Sequence, residues 1–244
     1  MKEDKTSGPP KAEESLETYF QTPSFLQSFK RITISTLEEQ EDANRIFSLS
    51  LTPQQRMEYM LYMNRIFFGE QMAKAATRYT GRFTSINMNI LFEPHKEILR
   101  KLIQFNVEFI LVGGYAVNFH GYNRATADMD IWLNPDNQNK LKFLNFLNAE
   151  GFDRESLDHI SNTDFTKHAA FHIGEKPLQV DFLTIISGVK FSEADDQKQL
   201  LPFGDISIPV LHLDHLILSK ISSTRTKDKL DVEELQKIMR LKKR

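Results

Sequence analysis

The segment from Phe109 to Leu133 constrains the fold most, because it reads as strand, glycine turn, short helix and second strand. An apolar, β-favouring run at 109–112 is followed at once by Gly113 and Gly114, which end it. Residues 115–120 can form one or two helical turns. Two glycines at such a junction allow positive φ and a close backbone approach, so the N–H groups that follow can face an anion.

Two aspartates, Asp128 and Asp130, open the second strand of this segment. Residues two apart in a strand share a face, so both carboxylates project together while Met129 and Ile131 pack on the other side. Adjacent carboxylates repel each other and lose solvation unless a cation compensates, and Mg²⁺ (or Mn²⁺) shared with substrate phosphates is the natural cation. An isolated Asp-x-Asp is more often a strand cap and a solvated side chain, but the upstream Gly-Gly turn reverses that balance.

A third carboxylate, Asp181, is the only charge in a strand-like run at 179–184. The run at 169–174 also reads as a strand, and Gly-Glu-Lys-Pro at 174–177 has turn chemistry, so the two runs predict a hairpin. If its second strand lies beside the aspartate pair, three carboxylates converge at one end of a sheet. The alternative is that Asp181 is an edge residue of an exposed hairpin.

In combination, Gly113-Gly114, Asp128-x-Asp130 and Asp181 resemble the signature of the polymerase-β-like nucleotidyltransferase superfamily. The fuller string Gly-Gly-Tyr-Ala-Val…His-Gly…Arg-Ala-Thr…Asp-x-Asp-Ile is similar to the AbiEii-type toxins and related bacterial nucleotidyltransferase-like proteins. The resemblance covers about residues 92–238. One departure is glycine at 114, where many members of the superfamily carry serine.

The resemblance implies an α/β (α+β) fold, a mixed sheet flanked by helices, and a metal-dependent enzyme that moves a nucleoside monophosphate from an NTP such as ATP to a hydroxyl acceptor. Asp128, Asp130 and Asp181 would then be catalytic and metal-binding: the first two would hold the metal ion on the triphosphate, and Asp181 would help to bind a second ion or activate the acceptor hydroxyl. The backbone of Gly113 and Gly114 would bind the NTP phosphates.

AbiEii-type proteins carry a second motif, Lys…Arg…Lys-Asp…Asp, which falls here on Lys220, Arg225, Lys227, Asp228 and Asp231. A lysine is a good point-charge partner for triphosphate and an arginine can grip it with two hydrogen bonds, so we expect Lys220 to be catalytic and Arg225 and Asp228 to bind nucleotide. The alternative, slightly favoured for Asp228 and Asp231, is a solvated helix with acids in its first turn.

Arg124 lies between the glycine turn and the aspartate pair. It could contact a phosphate of the nucleotide, and a surface salt bridge is about equally probable from sequence alone. His120, His168 and His172 lack the spacing of a metal site, and Trp132 is expected in the core.

The acceptor stays open at this level. AbiEii-like relatives imply RNA, notably a tRNA end, or a protein, with the enzyme acting as a toxin that an antitoxin partner restrains. Antibiotic nucleotidyltransferases share a similar Gly-Gly-x-Ala-Val turn and an Asp-x-Asp, so a small hydroxylated molecule is the enzymatic alternative, and a non-catalytic nucleotide-binding or interaction module is a third reading. The net charge of −2, from 31 basic and 33 acidic residues, slightly disfavours broad RNA binding.

Composition excludes several classes of protein. There is no cysteine, which removes disulfide, thiolate-zinc and cysteine-nucleophile chemistry. No apolar stretch is long enough to span a bilayer, and the first residues lack the pattern of a signal peptide, so a cytoplasmic protein without a membrane partner is expected.

The chain is predicted to divide into a disordered polar tail at 1–15, a helical appendage at 16–85 and a nucleotidyltransferase domain with C-terminal helices at 92–244. Within the appendage, capping-box spacing at 35–38 and 52–55 predicts helix starts, and a stripe of apolar residues is typical of core packing: Met57, Met60, Leu61, Ile66 and Phe67. Within the domain, helices are predicted to start at Glu93-Pro94 and at Asn134-Pro135, and a strand is predicted at 205–210.

Overall fold

The computed structural model describes residues 16–34, 46–47, 49–53, 55–56, 59, 93–122, 124, 126, 128–176, 178–203, 206–223 and 225–242. Several predicted features lie outside these residues: the tail at 1–15, the helix start at 35–38, the five residues of the apolar stripe at 57–67, and the domain boundary at 85–92.

A seven-stranded mixed sheet forms the centre of the described part of the chain, in the order β1-β4-β5-β3-β2-β7-β6. The strands are β1 (Ile32–Thr33), β2 (Phe109–Leu111), β3 (Met129–Leu133), β4 (Ala170–Ile173), β5 (Val180–Leu183), β6 (Gln199–Phe203) and β7 (Ile206–Val210). The pairs β3–β5 and β2–β7 are parallel, and the other neighbours are antiparallel.

Helices flank this sheet, which confirms the predicted mixed α/β architecture. They are α1 (Leu16–Tyr19), α2 (Pro23–Ser28), α3 (Glu93–Gln104), α4 (Gly113–His120), α5 (Asn137–Ala149), α6 (Arg154–Asn162), α7 (Phe191–Gln197), α8 (Leu213–Ile221) and α9 (Thr226–Lys242). Among the helices that the structure describes, none combines the length and the apolar character needed to span a bilayer.

A cluster of phenylalanines on one face of the sheet sets the register of β5 against β3. Phe182 stacks on Phe171 with ring centroids 5.5 Å apart and meets Phe143 at 5.1 Å. Because neighbouring residues of a strand point to opposite faces, Asp181 faces away from this core. The parallel pairing of β3 with β5 then places Asp130 directly beside Asp181. Apolar packing on one face therefore brings two carboxylates together on the other.

The predicted hairpin is present as β4 and β5, but the strand that carries the aspartate pair starts at Met129, one residue later than expected. Trp132 is 1% exposed, as expected of a core residue, and its Nε1 donates a hydrogen bond to the Thr184 carbonyl oxygen.

Residues 16–34 form an edge strand of the sheet in addition to two short helices. Ile32 pairs with Ile173, so β1 extends the sheet at its edge, and Phe25 and Phe29 are buried. Gly174, with φ of +75°, lies against the Phe29 ring so closely that a Cβ atom there would be 2.6 Å from Phe29 Cε1. A two-residue strand is too short to show an alternation pattern, which is why the sequence did not predict it.

Two predicted helix starts have different outcomes. Thr52 and Gln55 form the predicted capping box, since Thr52 N donates to Gln55 Oε1 at 3.0 Å and Gln55 N donates to Thr52 Oγ1 at 3.2 Å. The start at Asn134-Pro135 is wrong. Helix α5 is capped by Asp136, whose side chain accepts from Gln138 N at 3.2 Å, while Asn134 donates to a glutamate.

Three further elements were not predicted: α6, α7 and β6. Helix α7 has the sequence Phe-Ser-Glu-Ala-Asp-Asp-Gln, in which only the phenylalanine and the alanine are apolar and buried. Seven residues with two apolar positions show no clear helical period, so only tertiary packing identifies the helix. The strand predicted at 205–210 is confirmed as β7 from Ile206 onward.

Candidate active site

A cavity of about 440 Å³ lies where the glycine turn, the starts of β3 and β5, and the α8–α9 connection meet. Its wall contains every residue that the sequence singled out as a site residue: Gly113, Gly114, Arg124, Asp128, Asp130, Asp181, Lys220, Arg225 and Asp228. Residues more than a hundred positions apart in sequence therefore converge on one space. The roles of the individual residues stay predictions.

Asp130 and Asp181 are register partners on parallel strands. Burial, and then the charge of Asp128, raise the pKa of Asp130, against the opposing charges of Lys220, Lys227 and Arg225. Burial and the charge of Asp130 raise the pKa of Asp181 to about 7. The two carboxyl groups therefore hold protons more tightly than ordinary aspartates, chiefly because they are buried.

Asp128 is held by a lysine that the sequence analysis did not predict. The Nζ atom of Lys176 lies 2.9 Å from Asp128 Oδ2, and the lysine side chain is only 8% exposed. The other carboxylate oxygen, Oδ1, is buried and has no hydrogen-bond partner in the described part of the chain. A buried acceptor without a partner is costly, so this oxygen is suited to a further ligand.

The glycine turn is shaped around the carboxylates. Gly113 has φ of +59°, and a Cβ atom on it would lie 1.8 Å from Asp130 Oδ2. A Cβ atom on Gly114 would lie 2.2 Å from Thr126 Oγ1. Helix α4 begins at Gly113 without a side-chain cap, so its first N–H groups have no acceptor within the helix. The close approach expected of the two glycines is thus towards the protein's own side chains as well as towards the cavity.

The second motif forms a buried ion-pair network. Lys220 Nζ lies 2.7 Å from Asp228 Oδ1 and 2.7 Å from Asp231 Oδ2. Ser223 Oγ donates to Asp228 Oδ2 at 2.6 Å, and Arg124 Nε lies 2.8 Å from Asp231 Oδ1. Burial opposes ionisation of Asp228, but the hydrogen bonds from Lys220 and Ser223 keep its pKa below the ordinary value.

These contacts correct two expectations. Asp228 and Asp231 are 6% and 1% exposed, so the slightly favoured reading of them as solvated first-turn acids is wrong. Arg124 makes a salt bridge, as one alternative proposed, but its partner Asp231 is buried, and the arginine still lines the cavity.

Other groups at the cavity were missed by the sequence analysis. Gln179 donates a hydrogen bond through Nε2 to Asp181 Oδ1, and period-two alternation along the predicted strand at 179–184 could have indicated it. Lys176 lies in the predicted hairpin turn, but no pattern in the neighbouring sequence predicts that its side chain reaches Asp128. An apolar wall was also not predicted and comprises Leu183, Ile185, Ile186, Leu211 and Leu216.

The structure describes the surroundings of two of these histidines, His120 and His172. His120 Nε2 is 2.7 Å from the Leu211 carbonyl oxygen, and burial together with the charge of Lys176 lowers the pKa of His172 to about 4. Among the described residues, no group of three or more His, Cys, Asp or Glu side chains is already arranged as a metal-binding cluster.

Comparisons with known proteins identify a family and solved structures that resemble the chain. Residues 91–244 match a family model described as "Nucleotidyl transferase of unknown function (DUF2204)". No curated protein matches the chain. A crystal structure of the lincosamide antibiotic adenylyltransferase LnuA with lincomycin bound is similar over 59% of this chain and 94% of that chain, with 16% identity and a TM-score of 0.37.

Proposed function

The chain belongs to the nucleotidyl transferases of unknown function, and we propose that it moves a nucleoside monophosphate from an NTP to an acceptor hydroxyl at the cavity that contains Asp128, Asp130 and Asp181. The observation that carries the proposal is the parallel register of Asp130 with Asp181, beside an Asp128 whose Oδ1 atom has no partner in the described chain. Membership of the family supports nucleotidyl transfer as the reaction.

The donor set fits a divalent metal ion. Carboxylate oxygens are the ligands that Mg²⁺ and Mn²⁺ prefer, and the buried Oδ1 atom of Asp128 is available as one. Burial raises the pKa values of Asp130 and Asp181, and the charges of neighbouring aspartates add to the rise; a divalent ion would offset both effects. When bound, it would supply electrostatic stabilisation of the phosphate charges.

The protein's own groups account for binding and proton transfer. The start of α4, which no side chain caps, suits the NTP phosphates, and Arg225 and Lys227 line the same cavity. Lys220, fixed by two carboxylates, adds positive charge on the side of Asp130. These cations would stabilise the charge that develops on pyrophosphate as it leaves.

The proposed step is an in-line displacement. The acceptor oxygen forms a bond to the α-phosphorus, the bond from that phosphorus to the bridging oxygen of pyrophosphate breaks, and the hydroxyl proton passes to a base. Asp181 is the candidate base, because its carboxylate lines the same cavity and, once ionised, can accept the hydroxyl proton.

RNA, notably a tRNA end, or a protein is the acceptor that the AbiEii resemblance favours, with an antitoxin as partner. A specific observation favours the second candidate, a small hydroxylated molecule of the antibiotic type. The cavity has an apolar wall beyond Asp181, which includes Ile185 and Ile186. Three of its cations, Lys176, Lys220 and Arg124, already pair with carboxylates, which reduces the charge offered to a long polyanion.

The test is a transfer assay with each α-³²P-labelled NTP and Mg²⁺ against total tRNA, total protein and a panel of hydroxylated antibiotics. We expect label on one acceptor class with the unaltered protein and with Asp158→Asn, an exposed aspartate on α6 outside the cavity. Asp130→Asn is expected to abolish the label without unfolding the protein. Labelling that persists in Asp130→Asn contradicts the proposed site, and NTP binding without any labelling favours a non-catalytic binding module.

A further inference from the structure

Lys176 is a buried cation that the proposed reaction does not use. It lies in the turn between β4 and β5, its ammonium group contacts Asp128 Oδ2 at 2.9 Å, and its side chain is 8% exposed. A lysine at the tip of a hairpin turn normally extends into solvent, since its charge is strongly hydrated. This one is directed into the carboxylate cluster.

The turn that carries Lys176 is fixed from both sides. Gly174 N donates to the Ser28 carbonyl oxygen at 3.1 Å, and Gly174 packs under the Phe29 ring. On the other side, His95 Nε2 lies 2.6 Å from the Leu178 carbonyl oxygen, and His95 is fully buried. Residues before 91, outside the part of the chain that matches the family, therefore help to hold Lys176 over Asp128.

The charge of Lys176 reaches more than one carboxylate. Burial and Asp130 raise the pKa of Asp181, and the ammonium group of Lys176 opposes that rise. A divalent ion bound by Asp128, Asp130 and Asp181 would face this ammonium group at short range, and like charges in a poorly solvated site repel each other strongly. Lys176 and a bound metal ion would therefore compete for the same three carboxylates.

We infer that Lys176 is the built-in counter-cation of the carboxylate cluster and competes with a free divalent metal ion for Asp128. A metal ion that arrives already bound to an NTP brings phosphate charge with which the displaced ammonium group can pair, so the site favours the metal–NTP complex over the free ion. This inference rests on the proposed function for the three aspartates as metal ligands, and it assigns Lys176 a positioning and selectivity role.

The experiment measures binding of Mn²⁺ alone to the full chain by electron paramagnetic resonance, without nucleotide. Lys176→Met keeps most of the side-chain volume and removes the charge, and we expect it to bind free Mn²⁺ about tenfold more tightly than the unaltered protein. Lys176→Arg keeps the charge and should bind Mn²⁺ as the unaltered protein does. Lys190→Met is the matched control, since Lys190 is 81% exposed in its ion pair with Glu193.

A merely structural role for Lys176 gives the opposite sign, because a disordered cluster binds metal more weakly. Thermal unfolding in EDTA provides the second readout: Lys176→Met should melt at a lower temperature than the unaltered protein, and Mn²⁺ should raise its melting temperature by more. Equal or weaker Mn²⁺ binding by Lys176→Met overturns the inference. Tighter binding by that variant in a protein with no transferase activity would keep the inference and refute the proposed function. Absence of Mn²⁺ binding in every variant would overturn the inference, whereas the proposed function is decided by the transfer assay.

Discussion

Gly113 and Asp130 are in direct contact, since a Cβ atom on the glycine would lie 1.8 Å from Oδ2 of the aspartate. The turn that is expected to bind phosphate therefore packs directly on the strand that is expected to bind metal. This contact fixes the distance between the turn and the Asp130 carboxylate. Any side chain at 113 must either displace the Asp130 carboxylate or move the backbone of the turn. The spacing between the two motifs is a requirement of packing as well as of chemistry.

Gly113→Ala should therefore remove activity. The new methyl group displaces the Asp130 carboxylate, and misplacement of a reacting group by about 1 Å costs on the order of 100-fold in rate. We expect kcat in the transfer assay to fall by at least that factor. The control is Gly151→Ala, which has a similar positive φ of +75° but no atom within 4 Å of the added Cβ. It should cost about 1 kcal/mol of stability and leave kcat unchanged, and equal losses of kcat in both variants would contradict the steric explanation.

Gly114 carries a second prediction, which concerns its departure from serine in the wider superfamily. A Cβ atom there would lie 2.2 Å from Thr126 Oγ1 and 2.6 Å from Thr126 Cβ, so the threonine occupies the space that a side chain would need. Gly114→Ala should reduce kcat in the transfer assay and lower the midpoint of urea unfolding. Combining it with Thr126→Gly should restore part of both quantities, whereas additive losses in the double variant would show that Thr126 is not the obstacle.

The sequence predicted those site residues whose motifs lie within short segments, and it missed those that depend on contacts between distant segments. The Gly-Gly turn, the Asp pair and the hairpin aspartate are recognised within short segments, and strand periodicity with one assumed pairing is enough to bring Asp130 beside Asp181. Lys176 shows the limit. Its pairing with Asp128 spans 48 positions, so it could not be read from local pattern.

The missed elements have a similar cause. Strand β1 has two residues, and it forms because Ile32 meets Ile173 across the edge of the sheet. Helix α7 is mostly polar and is identified by the burial of Phe191 and Ala194. Such elements depend on tertiary partners, which a single sequence does not specify. Asp228 and Asp231 were misread for the same reason, because first-turn acids look alike whether or not a buried lysine is nearby.

Asp181 gives a prediction about pH in the absence of metal. Its pKa is about 7 in the folded chain against an ordinary value of 3.8, so the folded state binds more protons than the unfolded state between these values. The stability contribution is therefore present at low pH, falls as the pH rises through this window, and is fully lost above about 7. Asp181→Asn should remove this loss, which is on the order of 2 kcal/mol, and should make the metal-free protein more stable at pH 8 while abolishing transfer.

The measurement is urea unfolding in EDTA at pH 5 and pH 8 for the unaltered protein and Asp181→Asn. Asp158→Asn, at an exposed position on α6, should keep the pH dependence of the unaltered protein. The same pH dependence in all three proteins would show that Asp181 titrates as an ordinary aspartate.

The network around Lys220 gives the last prediction. Lys220 pairs with two buried carboxylates, so Lys220→Met should destabilise the fold by about 3 kcal/mol or more, because it removes the cation that Asp228 and Asp231 share. Asp231 keeps its ion pair with Arg124, so the loss of Lys220 affects Asp228 more than Asp231. Adding Asp228→Asn to Lys220→Met should therefore recover part of the stability in urea unfolding, while transfer stays low because the cation near Asp130 is missing. A double variant less stable than Lys220→Met would mean that Asp228 stabilises the fold through contacts other than the ion pair. Transfer restored in the double variant would remove Lys220 from the reaction and leave it a purely structural part of the α8–α9 packing.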